Sequence, residues 1–224
     1  MFYYHDWQGA QDGYRRAIAL NPNYATAHHW YSEYLTAIER FDEAFVEIRR
    51  AKEIDPLSPG ANAQEVWILF YARRYDEAIE RGRRIAEMNP DFAEINDPLK
   101  RCYDQKGMYR EAIAARQKRR KLAGWDATET AALKEAASTS DAVVYWKKRL
   151  EQEIEEARNE LPMPFEMAEI YARLGEKDLA FEWLNKAIEN RNYPVLYLRV
   201  VPNLDPLRTD PRFDNLLRRI GLAS

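Results

Sequence analysis

Three prolines, Pro22, Pro56 and Pro90, stand 34 residues apart, and this interval constrains the fold more than any other feature of the chain. Further columns keep the same step: Ala10, Ala44, Ala78 and Ala112; Trp7, Phe41, Tyr75 and Tyr109; Leu20, Ile54, Met88 and Leu122; and Leu35, Leu69 and Tyr103. A fixed period of this length means that one supersecondary unit is stacked repeatedly. Each column fits a pair of antiparallel helices. The aromatic opens the second helix, and the alanine three residues later is small where the two helices approach to about 8–10 Å. The aliphatic residue lies in the last turn, and the proline two residues on ends the helix because it cannot donate the next hydrogen bond. Asn21, Asp55 and Asn89 before the prolines favour the turn.

The repeats therefore predict helix pairs at about 24–38 with 41–54, 58–72 with 75–88, and 91–106 with 109–122, after a lone second helix at about 8–20. With only 8 glycines in 224 residues and abundant Ala, Leu, Glu and Arg, an all-α fold is expected throughout. The period breaks after residue 123. A pair at about 127–138 and 140–159 follows, its second helix overlong, with Val144, Leu150, Ile154 and Ala157 as its apolar stripe. A weaker repeat returns in Glu166-Met-Ala168, Tyr171-Ala-Arg-Leu-Gly175, Ala180 and Ala187, and Asp210-Pro211 reads as the N-cap and first residue of a closing helix. The expected divisions are a regular array over 1–123, an irregular pair over 124–160, a degenerate repeat over 161–192 and a capping segment over 193–224.

The stretches Asn21-Pro-Asn-Tyr-Ala-Thr-Ala-His-His-Trp30, Phe41-Asp-Glu-Ala44 and Tyr75-Asp-Glu-Ala78 resemble the tetratricopeptide repeat (TPR) family, strongly so over residues 8–123. The resemblance implies a right-handed superhelical solenoid of antiparallel helix pairs that binds a protein or peptide in its concave groove. In such superhelices the first helix of each pair lines the groove through its second, fifth, ninth and twelfth repeat positions. Here that places His29, Glu33 and Thr36 beside Ala63, Trp67 and Phe70, and then Asp97, Arg101 and Asp104. Trp67 and Phe70 are also suited to packing between neighbouring helices. The Lys, Asn and Arg clamp with which chaperone-type TPRs grip a C-terminal carboxylate is missing at these places, so a hydrophobic or mixed peptide is the better expectation.

Ala25-Thr-Ala-His-His-Trp-Tyr31, Ile68-Leu-Phe-Tyr-Ala-Arg-Arg-Tyr75 and Leu204-Asp-Pro-Leu-Arg-Thr-Asp-Pro-Arg-Phe213 carry a narrower resemblance. They are similar to the C-terminal TPR region of bacterial winged-helix transcriptional regulators and Ser/Thr kinases. A scaffolding or sensory half of a signalling protein is implied, because no kinase or recognition-helix motif is present. Met1-Phe-Tyr-Tyr4 lies where the first helix of the opening repeat belongs, so an N-terminal extension of the native polypeptide is expected. The half repeat at 1–20 is also the expected place for self-association.

Lys plus Arg (34) nearly balance Asp plus Glu (37), and the net charge of −3 gives no global attraction to nucleic acid or acidic membranes. A local basic stripe is conceivable from Arg49-Arg50, Arg81, Arg83-Arg84 and Arg116-Gln-Lys-Arg-Arg-Lys121, which would make the chain a nucleic-acid binder. Against that, cations late in a helix complement its dipole, and Glu43, Glu47, Glu77 and Glu111 precede them. A groove taking a small molecule is a further alternative. No catalytic motif appears. His28 and His29 diverge by about 100° on one helix and cannot chelate one metal together; His28 is expected in inter-helix packing. Cys102 reads as a buried structural thiol. No catalytic, cofactor or metal site is expected, and with neither a signal peptide nor an apolar span the protein reads as cytoplasmic.

Overall fold

The computed structural model describes residues 6–125, 128–139, 141–157 and 163–222. Its regular elements are α1 (Trp7–Leu20), α2 (Ala25–Ala37), α3 (Phe41–Ile54), α4 (Pro59–Tyr71), α5 (Tyr75–Met88), α6 (Asn96–Lys106), α7 (Tyr109–Leu122), α8 (Ala131–Thr139), α9 (Ala142–Glu156), α10 (Pro164–Leu174), α11 (Lys177–Glu189) and α12 (Pro211–Arg219), with 3-10 turns at Ala93–Ile95, Tyr193–Tyr197 and Pro202–Leu207. Among the described residues there is no strand. Sequential helices pack as antiparallel pairs, α2 on α3, α4 on α5, α6 on α7 and α10 on α11, and the first helices α2, α4 and α6 also touch one another in a row. This is the all-α solenoid that the period implied.

The alanine column explains how the pairs close. Ala10, Ala44, Ala78 and Ala112 are each 0% exposed, so nothing larger than a methyl group fits where the helices meet. The Leu35, Leu69 and Tyr103 column is likewise buried. The last-turn aliphatic column is not a packing feature: Leu20 is 78% and Met88 77% exposed. Its period reflects equivalent helix ends rather than a shared core.

The turn within each pair needs a left-handed residue. Gly107 (φ 70°) and Gly175 (φ 80°) supply it at no steric cost, whereas Glu39 (φ 70°) and Arg73 (φ 62°) adopt it with a Cβ in place. Their amides donate to Thr36 and Phe70 carbonyls, which closes the ends of α2 and α4.

Two helices differ from expectation. α6 begins at Asn96 rather than near 91, because a 3-10 turn occupies Ala93–Ile95 and Pro98 is tolerated only in a first turn. α9 has 15 residues against 14 in α3, α5 and α7, so it is not overlong; the expected end at Asn159 lies outside the described residues. Of its expected stripe, Leu150 packs against an apolar cluster, but two members do not. Val144 and Ile154 are exposed, and α9 buries Tyr145, Trp146, Arg149 and Gln152 instead.

That polar burial is matched by charge. Arg116 of α7 reaches Glu129 at 2.5 Å, Glu156 at 2.9 Å and Glu153 at 3.2 Å, and Arg149 pairs with Glu153. Glu156 is thus a partner of Arg116 and Arg120 rather than a solvated acid. A second apolar cluster joins α7 to α10 here, including stacked Tyr109 and Tyr145 rings 4.0 Å apart.

The main core is continuous from Trp7 to Leu222. α12 starts as expected, with the Asp210 carboxylate capping the Arg212 amide and Pro211 at the first position. It then packs on α11 through Arg212, whose guanidinium lies 4.2 Å from the Phe181 ring centroid and pairs with Asp178 at 2.7 Å. Its far end delivers Ile220 to α1, where Trp7 Nε1 donates to the Ile220 carbonyl at 2.6 Å. Trp7 and Ala10 are the residues that α1 buries, and the rest of the helix is partly or fully exposed.

Candidate partner-binding surface

The first helices α2, α4 and α6 bring the predicted groove residues into one row, but not equally. Their twelfth positions are swallowed into the array. Thr36 is 0% exposed and donates its hydroxyl to the Ser32 carbonyl at 2.7 Å. Phe70, also 0% exposed, packs edge-on to Trp67 with ring centroids 5.9 Å apart. Asp104 is 1% exposed, accepting from the Tyr145 hydroxyl at 3.0 Å and pairing with Lys100 at 3.1 Å. These three are corrected from groove to core, because adjacent first helices lie too close to leave that layer open and α9 closes over α6.

The ninth positions are half-buried and form the middle of the face. Trp67 stacks on Tyr71 at 5.7 Å and 20°, and the Arg101 guanidinium lies 5.9 Å from the Trp67 centroid. Arg101 Nη1 in turn donates to Glu169 Oε1 of α10 at 2.5 Å. Burial works against the Arg101 charge, yet the attraction and hydrogen bond of Glu169 prevail and raise its pKa. Glu33, one repeat before Trp67, accepts from the Tyr193 hydroxyl at 2.9 Å.

Toward the start of the first helices, His29 and Asp97 remain partly accessible. His29 Nε2 lies 3.4 Å from Glu33 Oε1. Asp97 accepts from Arg119 Nε at 3.0 Å; burial raises its pKa, and the Arg119 hydrogen bond opposes that rise.

An occupant that the sequence reading missed lies on this face. Residues 193–207 run from the end of α11 back across the first helices. Tyr193 meets Glu33 of α2, Tyr197 stacks on Tyr71 of α4 with rings 4.9 Å apart and 2° from parallel, and Asp205 pairs with Arg73 at 2.7 Å. Asn203 accepts from Gln105 of α6 and donates to Glu169 at 3.1 Å. Between these polar anchors, Val195, Leu198, Val200, Val201, Leu204 and Leu207 are buried. Their spacing follows neither a helical nor a strand period, so only the run of apolar residues hinted that they join a core.

The arginines of the expected basic stripe are largely compensated. Arg50 meets Glu53 at 3.0 Å, Arg81 meets Glu65 at 3.3 Å, Arg84 meets Glu80, and Arg83 donates to the Tyr103 hydroxyl at 2.8 Å. Arg119 and Arg120 reach Asp97 and Glu156. His28 sits in helix packing, with Nδ1 2.6 Å from Glu47 and Nε2 3.0 Å from the Pro22 carbonyl. Cys102 is fully buried, and burial pushes its thiol up to about 12.

Profiles of the tetratricopeptide repeat family match residues 3–59 and 165–193. Those two segments are tetratricopeptide repeats. The first match covers α1 to α3 and the second α10 with α11, and the pairs α4 with α5 and α6 with α7 share the period and the alanine contact of the first. No curated protein sequence matches the chain. Tetratricopeptide repeats generally mediate protein–protein interactions, typically as non-enzymatic scaffolds. Among the described residues, no helix is long and apolar enough to cross a membrane.

Proposed function

We propose that the chain is the protein-interaction module of a bacterial signalling or transcription-regulatory system and takes its partner on the strip formed by His29, Glu33, Trp67, Asp97 and Arg101. The observation that carries this reading is the partly buried Trp67 ring, held between Tyr71 and the Arg101 guanidinium. A rigid aromatic beside an oriented arginine is the usual anchor of a binding surface, since both bury large area at little cost in side-chain freedom. The strip carries both charge signs, which suits a mixed peptide or protein surface better than a uniformly acidic one. The signalling context rests on the resemblance of residues 25–31, 68–75 and 204–213 to the TPR regions of bacterial regulators.

A photo-crosslinking residue at Asp97 tests the strip, with one at the exposed Val46 of α3 as the control position. A partner that crosslinks from 97, fails to crosslink from 46 and is lost on Trp67→Ala is the expected result. Equal capture from both positions, or capture indifferent to Trp67→Ala, would remove the strip as the binding site.

A further inference from the structure

We infer that residues 193–222 can exchange between two copies of this chain, so that the face of α2, α4 and α6 is a self-recognition surface whose second occupant is the same segment of another molecule. The segment behaves as a bound ligand. Its polar and ring contacts tie it to Glu33, Tyr71, Arg73, Gln105 and Glu169, residues of elements far from it in sequence. Every one of these contacts can form identically when the segment comes from a second copy. The result is a closed two-fold dimer rather than an open chain.

The turn that now keeps the segment on its own array is short and strained. It consists of Asn190, Arg191 and Asn192, after α11 ends at Glu189. Arg191 holds a left-handed backbone (φ 52°) with a Cβ in place, and the Asn192 Oδ1 is buried without a hydrogen-bond partner. Opening the turn relieves both. Asn192 already has an extended-type ψ of 130° where the chain enters the 3-10 turn Tyr193–Tyr197. Three extended residues span about 10 Å, and Glu189, Asn190 and Arg191 are all exposed, so two α11 ends can approach. Short hinges under strain are where exchange is favoured.

The exposed Arg73–Asp205 pair reports which chain supplies the segment. Full-length R73C and full-length D205C are mixed, concentrated with and without prior unfolding in urea, sized by light scattering and treated with a short bismaleimide; Cys102 is buried and out of reach. The expected result is a dimer fraction that yields a crosslink between the two different chains. R191G removes the left-handed penalty of the closed turn and lowers the dimerisation constant by about tenfold, while deletion of Arg191 raises it. A monomer at every concentration, a dimer with no interchain crosslink, or a dimer fraction indifferent to both hinge changes would each overturn the proposal. The samples that were never unfolded keep the test valid if refolding is incomplete.

Discussion

The indole of Trp7 donates to the carbonyl of Ile220 across 2.6 Å, joining residues 213 positions apart in the sequence. Trp7 also lies 6.0 Å from the Tyr34 ring, so the same side chain opens the array and receives its closing helix. Trp7→Phe keeps the ring packing and removes the donor, which leaves a buried carbonyl without its partner. The expected loss is about 1–3 kcal/mol of unfolding free energy. Urea unfolding followed by circular dichroism measures it, and an unchanged midpoint would show that α12 closes the array by apolar contact alone.

The two left-handed non-glycine turns within pairs offer a gain in stability. Glu39→Gly relieves the strain at φ 70° and gives back part of it in chain entropy, for a net gain of about 0.5–1 kcal/mol. Arg73→Gly relieves similar strain but loses the ion pair to Asp205 and the bond from Arg73 Nη1 to the Tyr71 carbonyl. Its gain is therefore smaller or absent. Thermal midpoints of the two variants rank the effects, and equal midpoints would mean that Arg73 contributes nothing to holding residues 193–207.

Cys102 has no exposed surface, and burial raises its thiol to about 12. At pH 8 almost no thiolate forms and no reagent reaches the sulfur. Modification by a disulfide reagent should wait for global unfolding, with a rate that follows urea concentration. Rapid labelling of the native protein would require local opening between α6 and its neighbours.

Glu166 stands at the start of α10 among cations. Burial raises its pKa, but the positive charges of Lys100, Arg149, Arg101 and Arg116 outweigh burial and hold it below the ordinary 4.5. A lowered carboxylate pKa stabilises the fold at pH values above 4.5, and that contribution is lost as pH falls through the folded value. Glu166→Gln should therefore be less stable than the parent near pH 7, with the difference shrinking below pH 4.5. Urea midpoints from pH 7 to pH 3 test the sign; a gap that widens on acidification would contradict it.

The 34-residue period, read without any structure, located α3, α5 and α7 to the residue because an aromatic and an alanine mark each second helix by a local steric demand, with a proline after α3 and α5. Other local signals identified Asp210 as a cap and His28 and Cys102 as packed side chains, and the repeat positions put Trp67 and Arg101 on one face. Local patterns failed where a residue's surroundings come from far along the chain. Val144 and Ile154 looked like the inner stripe of α9, yet α9 turned Tyr145 and Arg149 inward, because Arg116 of α7 and Glu129 ahead of α8 were there to receive a polar face.

What the sequence by itself determined is the repeated unit, since helix capping, helix ending and the close alanine contact are all decided within one period. What only the tertiary structure decided is how much of the inner face remains. Thr36, Phe70 and Asp104 have the groove spacing but lie in the core, and Tyr193, Tyr197 and Asn203, which have no period at all, lie on the face. The reason is geometric: helical spacing says which way a side chain points, and only the path of the whole chain says what meets it there.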